Sequence, residues 1–137
     1  MIRSANEDDK EEIVSLLQHV FSEPPFNEKE SVESIRKSVD FYFRIGHFFV
    51  ASENEMLGVI LFKVEQWWQG PVVIIEDLAV KRKAEGIGTR LMQKVEEYAR
   101  EISADSISLC TRKEIVPFYT KQNFQEEETV CMKKKLR

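Results

Sequence analysis

The chain alternates between segments in which apolar residues recur with helical spacing and segments in which they form short runs. Ile13, Leu16, Leu17 and Val20 lie three or four residues apart, which predicts an amphipathic helix. Runs rich in Val, Ile and Phe, bounded by Gly, Pro or Asn, predict strands. The predicted strands cover residues 2–5, 47–51, 57–64, 72–80, 106–110, 124–128 and 129–136. The predicted helices cover residues from about 10 to 22, 28–44, 88–103 and 113–121.

The order of these elements predicts one sheet with helices packed around it. A strand, two helices and three strands come first, followed by a helix, a strand, a helix and a final pair of strands. Because a helix joins the strand at 72–80 to the strand at 106–110, these two are expected to be parallel. The predicted fold is of the α/β (α+β) class, with a mixed, mostly antiparallel central sheet flanked by helices.

Length and composition narrow the possible function classes. At 137 residues the chain has the size of a single domain, 1–137, which can bury a core without disulfides or metals. A net charge of -4 argues against nonspecific nucleic-acid binding, and no apolar stretch approaches the roughly 20 residues needed to cross a membrane. The N-terminal segment is polar and acidic, so no secretory leader is predicted and a cytoplasmic location is expected.

The histidines and cysteines do not predict a metal site. His19 and His47 are far apart in sequence, and the two cysteines lack the paired spacing of metal ligands. Cys110 and Cys131 lie in apolar, strand-like runs, so in a reducing compartment both are expected to be buried as small hydrophobic residues.

One stretch joins a strand, a glycine turn and a helix without a gap. An apolar run ends at Val80, Gly86 and Gly88 follow, and helical spacing begins directly after them. Two glycines let the backbone approach a ligand closely, and a helix N-terminus offers free N–H groups with about half a positive charge. With the basic triplet at 81–83, the stretch predicts an anion site, although the same pattern also occurs in tight turns that bind nothing. In an open sheet, a ligand is expected at the carboxyl end of such a strand.

The segment at 66–71 contains two adjacent tryptophans and then Gly-Pro, which predicts a loop. Its tryptophans are expected to pack against the second helix, to line an acceptor site or to form a homodimer contact, and the sequence does not rank these. Gly58, in the preceding strand, indicates a bulge or a close backbone approach.

Four short motifs accompany this order of elements. They are Glu-Asp-Leu-Ala-Val at 76–80, Gly-Ile-Gly-Thr-Arg-Leu at 86–91, Val-Pro-Phe-Tyr at 116–119 with Asn-Phe at 123–124, and Met-Lys-Lys-Lys-Leu at 132–136. Together with the element order they resemble the GNAT superfamily of acyl-CoA-dependent N-acetyltransferases. The resemblance covers nearly the whole chain.

The resemblance implies acetyl-CoA as co-substrate and no metal. It implies that the strand carrying Leu78 to Val80 bulges and splays from its neighbour, so that free backbone groups pair with pantetheine. It also implies that the amides of residues 86–89 hold the pyrophosphate. The cofactor-binding residues that it implies are Leu78, Ala79, Val80, Lys83, Gly86, Ile87, Gly88, Thr89 and Arg90.

The chain departs from the family pattern at several positions. Lys83 stands where Arg or Gln is commoner, and the link from Val80 to Gly86 is two residues shorter than usual and lacks its Pro. Arg112 and Ile115 stand where Asn and Ala are usual. Asn123 replaces the usual Gly, and a left-handed helix cap accommodates this change because Asn tolerates that conformation.

The chemistry of the predicted reaction requires a base and an acid. An amine with a pKa near 10 is mostly protonated at neutral pH, so direct attack on a thioester needs a base and donors for the oxyanion. Glu76 resembles in position a glutamate proposed as base, often through water, in polyamine-type members. Asp77 is expected to alternate to the other face, and the position of the bulge decides which carboxylate faces the site. By the same resemblance Tyr119 is the general acid for the leaving thiolate; its other interpretation is a core tyrosine beside Phe118.

The predicted function is therefore transfer of an acetyl group from acetyl-CoA to a primary amine of a small molecule or peptide. A catalytically silent acyl-CoA-binding sensor is the alternative, and an unrelated phosphate or nucleotide binder, preferring ATP or NAD, is the third class. No nucleic-acid or membrane partner is expected. The acceptor stays open, because the first two helices and the tryptophan segment carry no recognisable motif.

Overall fold

The apolar runs of the chain form one sheet in which spatial order follows sequence order. The structure is a computed structural model that describes residues 1–81 and 85–137. Its strands are β1 (Ile2–Ser4), β2 (His47–Ser52), β3 (Met56–Trp67), β4 (Gly70–Val80) and β5 (Ser106–Leu109). Neighbours from β1 to β4 are antiparallel, and β4 and β5 are parallel. The sheet is therefore mixed and mostly antiparallel, as the element order predicts.

Helices cover both faces of the sheet. They are α1 (Lys10–Ser22), α2 (Val32–Ile45), α3 (Ile87–Glu101) and α4 (Val116–Thr120), and 3-10 turns at Glu7–Asp9 and Lys113–Ile115 precede α1 and α4. Helices α1 and α2 cover one face, over Leu61 and Ala79, and we call this the helix-pair face. Helices α3 and α4 cover the other, over Phe62 and Ile75, and we call this the α3 face. The alternation of apolar side chains along the strands thus supplies two cores.

Helix α3 lies close to the sheet because of a glycine. Its predicted apolar stripe is confirmed, since Ile87, Leu91 and Val95 are buried. A Cβ atom on Gly58 of β3 would lie 3.0 Å from Ile87 Cγ2 and 3.0 Å from Leu91 Cδ1. A Cβ at this position would crowd both side chains, so Gly58 lets α3 pack closely on the sheet. The bulge, one of its two predicted roles, lies directly beside it, where Leu57 has no partner in β2.

The start of α1 is fixed to β1 by polar contacts. Asn6 Oδ1 accepts a hydrogen bond from the Asp8 amide at 2.9 Å, and the Asp9 carboxylate accepts one from the Asn6 amide at 2.8 Å. Arg3 donates two hydrogen bonds to the same carboxylate, at 2.8 and 3.0 Å, and this guanidinium lowers the pKa of Asp9. These contacts set the direction in which α1 crosses the helix-pair face.

The prediction that the second helix starts at residue 28 is wrong. Helix α2 begins at Val32, because Ser31 adopts an extended conformation and its Oγ accepts a hydrogen bond from the Ser34 amide at 3.1 Å. Residues 28–31 therefore belong to the connection between α1 and α2. This places Glu28 and Glu30 beside the helix-pair face.

The predicted loop at residues 66–71 is also wrong. Strands β3 and β4 form one long hairpin whose turn consists of Trp68 and Gln69 alone. Gly70, with a φ of 138°, supplies the conformation that closes the turn. The Trp68 side chain is fully exposed, and Trp67 Nε1 donates a hydrogen bond to Glu65 Oε1 at 3.0 Å.

The C-terminal segment differs from its prediction as well. Asn123 has the predicted left-handed conformation, with a φ of 69°. The expected strands at 124–128 and 129–136 do not form, and residues 125–137 are exposed. Cys110 and Cys131 are exposed too, which contradicts their predicted burial. Across the described residues no helix is both long and apolar enough to cross a membrane.

Candidate active site

Strand β4 has one residue more than its partner β3 at the level where β5 ends. Leu61 pairs with Asp77 and Phe62 pairs with Ile75, so Glu76 has no opposite residue. Such an extra residue is a β-bulge, which bends a strand and changes the direction of its side chains. A bulge is therefore present in this strand, and it lies at Glu76.

The bulge brings two carboxylates to the same face of the sheet. In a regular strand Glu76 and Asp77 would face opposite sides. Instead, Glu76 Oε1 forms an ion pair with Lys63 Nζ at 3.1 Å and lies beside Tyr42 of α2, while Asp77 lines a cavity under α1 and α2. Both side chains are thus on the helix-pair face, and the expectation that Asp77 alternates to the other face is wrong.

The cavity that Asp77 lines has a volume of about 280 Å³. Its apolar walls include Phe21 of α1 and Leu61 of β3, and its acidic groups are Glu28, Glu30 and Asp77. None of the described residues that line it is a lysine, an arginine or a histidine. The cavity therefore combines an apolar interior with a negative charge that no lining residue balances.

Asp77 has an unusual protonation equilibrium. Burial, and then the charges of Glu76 and Glu28, raise the pKa of Asp77 to about 6. A carboxyl group with this pKa exchanges its proton near neutral pH, which is the property that a general base requires.

The end of β4 has an unpaired edge. Pairing of β4 with β5 stops at Ile75 and Leu109, whereas pairing of β4 with β3 continues to Val80. Within the described residues, the backbone at 76–80 therefore has no strand partner on the side away from β3. Leu78 and Val80 pack towards the α3 face, and Ala79 is buried on the helix-pair face.

The N-terminus of α3 lies next to this edge. Gly86, with a φ of 74°, precedes the helix, and no side chain caps its first turn. The amides of Ile87, Gly88 and Thr89 are the ones that an uncapped helix start leaves free. A Cβ on Gly88 would lie 3.2 Å from Phe118 Cζ and 3.5 Å from Val80 Cγ2, so this glycine allows α3, α4 and β4 to meet.

The basic residues around this helix start are only partly described. Lys83 and Arg82 fall outside the described residues. Lys81 Nζ forms an ion pair with Glu55 Oε2 at 3.2 Å, which directs it to the turn between β2 and β3. Arg90, the last of the predicted cofactor-binding residues, is exposed on the first turn of α3.

Tyr119 of α4 lies between the α3 face and the carboxylate pair. Its ring is packed against Phe118 and Phe124, with centroid distances of 5.0 and 5.7 Å. Burial, and then the charge of Asp77, raise the pKa of Tyr119 to about 12. Among the described residues, no hydrogen bond to its hydroxyl is recorded.

Arg112 makes a contact near the cavity that the sequence did not predict. Its Nη2 donates a hydrogen bond to the Phe26 carbonyl oxygen at 3.3 Å, and its guanidinium lies 5.7 Å from the centre of the Phe26 ring. Phe26 in turn packs edge-on against Phe21, a cavity residue, at 4.8 Å. The connection between α1 and α2 is thereby held against the segment after β5. Arg112 departs from the family pattern, and this departure was the signal that could have identified it.

One family of known proteins matches most of the chain. The model of the Acetyltransferase (GNAT) family matches residues 11–124, a range that includes the cavity, the bulge, the start of α3 and Tyr119. No curated protein sequence matches the chain.

Solved structures share the fold at low sequence identity. A possible acetyltransferase from Clostridium difficile 630 has a TM-score of 0.87 and 17% identity, with 100% of this chain and 97% of that chain covered. An aminoglycoside acetyltransferase from an uncultured soil metagenomic sample, in complex with sisomicin, has a TM-score of 0.77 and 22% identity, with 100% and 96% covered. A transcriptional regulator from Bacillus halodurans C-125 has a TM-score of 0.81 and 22% identity, with 97% and 98% covered.

Proposed function

Because the chain belongs to the GNAT acetyltransferase family, we propose that it transfers the acetyl group of acetyl-CoA to the primary amine of a small molecule by direct attack. The observation that carries this proposal is the unpaired edge of β4, which lies between the free helix start of α3 and the Asp77 cavity. One ligand extending along this edge would place its two ends at these two sites.

The described residues fit acetyl-CoA as the co-substrate. The backbone of Leu78, Ala79 and Val80 has hydrogen-bonding groups free to pair with an amide-containing arm, and the first-turn amides of α3 suit a pyrophosphate. Gly86 leaves the approach to these amides open, since a Cβ there would meet no atom within 4 Å among the residues that the structure describes, its two chain neighbours aside. When bound, acetyl-CoA supplies an acetyl thioester.

One of the two carboxylates at the bulge takes the proton of the acceptor amine in this proposal. Glu76 was the candidate from the sequence, and this role stays a prediction. Two observations favour Asp77: Lys63 already pairs with Glu76, and Asp77 has a pKa of about 6 and lines the cavity. We therefore place the proton on an Asp77 carboxylate oxygen, with Glu76 beside it as a charge held in place by Lys63.

In the proposed reaction Tyr119 carries the proton that is offered to the leaving thiolate of CoA. Its hydroxyl is protonated at neutral pH, since its pKa is about 12, and it can donate to the leaving sulfur atom. An ordinary thiol has a pKa of about 8.5, so complete proton transfer would cost on the order of 5 kcal/mol. The donated hydrogen bond, rather than a favourable proton transfer, is then the main contribution of Tyr119.

The acceptor of this proposed reaction is a small cationic amine. A volume of about 280 Å³ is at the small end for ligand cavities, which favours a small molecule over a peptide. Glu28 and Glu30 attract a protonated amine, and Phe21 and Leu61 contact its apolar part. The aminoglycoside acetyltransferase of the same fold supports starting the search with polycationic amines.

Release of the CoA thiol in the presence of a panel of amines tests this function. We expect thiol release that depends on the acceptor and an acetylated amine in the product mixture. Binding of CoA without acceptor-dependent release would instead support the acyl-CoA sensor. Calorimetry with CoA, ATP and NAD separates both from a general nucleotide binder, which would not prefer CoA.

Matched amide variants test the base. We expect Asp77→Asn to lower kcat/KM by about 100-fold or more, because general bases contribute at least that much. Glu76→Gln, which removes the neighbouring carboxylate, should lower it by less than about tenfold. If Glu76→Gln has the larger effect, the proton belongs on Glu76, as the sequence alone suggested.

Replacement of Tyr119 by phenylalanine tests the acid. We expect Tyr119→Phe to lower kcat while the affinity for CoA stays the same, because only the hydroxyl is removed. Tyr98→Phe is the matched control, since Tyr98 Oη lies 3.4 Å from His47 Nε2, at a pocket that does not include the bulge. An unchanged kcat for Tyr119→Phe would make Tyr119 a core residue only.

A further inference from the structure

The two cysteines of the chain lie in contact although they are 21 residues apart. Cys110 Sγ is 3.6 Å from Cys131 Sγ. Both side chains are exposed, so neither thiol is protected by the core. A disulfide has a sulfur–sulfur bond of about 2.05 Å, so the two atoms need to approach by only about 1.5 Å.

The pair joins two parts of the molecule that differ in their packing. Cys110 directly follows Leu109, the last residue of β5, whose partner Ile75 immediately precedes the bulge. Cys131 belongs to the exposed C-terminal segment, in which Val130 and Met132 on either side are 82% and 93% exposed. An exposed segment can adjust its position at little cost, whereas the end of β5 is held by the sheet.

We propose that Cys110 and Cys131 are a thiol oxidation site, which a disulfide of low molecular weight such as glutathione disulfide converts into an intramolecular disulfide. The thiolate of one cysteine attacks glutathione disulfide, a mixed disulfide forms, and the first glutathione leaves as a thiolate. The second cysteine then attacks the protein sulfur of the mixed disulfide and releases the second glutathione. Two protein thiols are oxidised, one glutathione disulfide is reduced, and the two thiol protons end on the two glutathione molecules.

The closeness of the two sulfur atoms, and not an unusually reactive thiol, favours disulfide formation at this site. The neighbouring Cys131, burial and the charge of Glu76 raise the pKa of Cys110, so this thiol is largely protonated at neutral pH. The first exchange is therefore slow. The second is intramolecular between groups already in contact, so it is expected to outpace the attachment of a second glutathione.

Ring closure would connect the two ends of the segment that carries Tyr119. The loop from 110 to 131 contains the second 3-10 turn and α4, and it begins beside the carboxylate pair. In the oxidised form the C-terminal segment would stay beside the end of β5. Because residues 125–137 are exposed in the folded state too, the crosslink restricts both the folded and the unfolded chain, and we expect a rise in Tm of only about 2–4 °C.

Equilibration of the full chain with glutathione disulfide, followed by peptide mapping without reduction, tests the proposal. Trypsin cleaves after Arg100, Arg112, Lys121 and Lys133, so the two thiols lie in separate peptides, 101–112 and 122–133. We expect the intact monomer to lose two hydrogens, the two peptides to be covalently joined, and a reductant to reverse both changes. Thermal unfolding of the same sample should show the rise in Tm.

Single variants provide the controls. Cys110→Ser and Cys131→Ser change exposed residues, so both should fold, and each should stop at one glutathione adduct or an intermolecular dimer. The proposal is overturned if the unmodified chain gains one glutathione on each cysteine or forms dimers through them. It is overturned equally if both thiols stay free at a glutathione disulfide concentration that modifies the single variants.

Discussion

At the scale of single residues, burial of Asp77 has a cost for the fold. The folded protein raises the pKa of Asp77 from 3.8 to about 6, so it binds this proton more tightly than the unfolded chain does. Charged Asp77 therefore destabilises the fold, fully above about pH 6 and not at all below about pH 4. The difference amounts to about 3 kcal/mol at most, as an order of magnitude.

Replacement of this carboxylate should therefore stabilise the protein while it impairs the proposed reaction. We expect Asp77→Asn to raise the free energy of unfolding by about 1–3 kcal/mol at pH 8, because the buried charge is gone. The gain should shrink as the pH falls through 6 and vanish near 4, where the native carboxyl is protonated. Urea unfolding at these three pH values measures it.

Glu76→Gln is the control for this prediction. It removes a charge from the same bulge but also breaks the ion pair with Lys63 Nζ, so no comparable stabilisation is expected. A stability gain for Asp77→Asn that does not change with pH would show that titration of Asp77 is not its cause.

The roles of single side chains were only partly predictable from the sequence. The carboxylate pair and Tyr119 are visible as motifs, so the right segment could be named. Which carboxylate faces the cavity depends on the pairing of Leu61 and Phe62 with β4, and no property of Glu76 or Asp77 reveals it. The contact of Arg112 with Phe26 joins residues 86 positions apart, which local spacing cannot detect.

At the scale of elements, the junction of α3 with α4 depends on Gly88. This residue lies in the first turn of α3, where Phe118 approaches within contact distance of its missing Cβ. Phe118 packs edge-on against Tyr119 with 5.0 Å between ring centroids. A side chain added at position 88 would therefore displace Phe118, and this displacement would reach Tyr119, the proposed acid, through one aromatic contact.

Two alanine variants, two residues apart, separate this packing from backbone strain. We expect Gly88→Ala to lower kcat, because its Cβ would lie 3.2 Å from Phe118 Cζ and displace the ring. Gly86→Ala has free space but a φ of 74°, so it should cost about 1–2 kcal/mol of stability without moving Phe118. Steady-state kinetics and unfolding of both variants are the measurements, and equal kcat values would contradict the role of Phe118.

Elements with strong periodicity were predictable from the sequence, whereas those fixed by a local cap or by distant strand pairing were not. Helix α3 was predicted nearly in full, because its apolar stripe and the glycines before it agree. The start of α2 was misplaced because residues 28–31 favour helix in isolation, whereas the Ser31 side chain caps the helix after them. The tryptophan segment resembles a loop by composition, but the long β3–β4 pairing extends through it to Trp67.

At the scale of the whole molecule, the sheet separates two cores, and the C-terminal segment belongs to neither. Val130, Met132 and Leu136 are all more than four-fifths exposed, at 82%, 93% and 88%. The alternation that predicted two final strands is real in the sequence, but these strands do not form and their apolar residues stay outside both cores. Sequence pattern describes what a segment could pair with, and only the assembled molecule decides whether a partner edge is available.

Removal of residues 126–137 tests this description. We expect a change in Tm of less than about 2 °C under reducing conditions, because exposed residues contribute little buried apolar surface. Phe124, which packs against Tyr119, is retained in this variant. A fall in Tm of more than about 5 °C would mean that the segment pairs with the sheet in solution.

The bulge at Glu76 also determines whether β4 can lose a residue without disturbing the two cores. Loss of one residue from a regular strand turns every later side chain to the opposite face. Loss of Glu76 would instead make Ile75 and Asp77 neighbours, opposite Phe62 and Leu61, their present partners. Leu78 and Val80 would still face α3. The codon for Glu76 can therefore be deleted, which removes one carboxylate from the site, while both cores keep their residues.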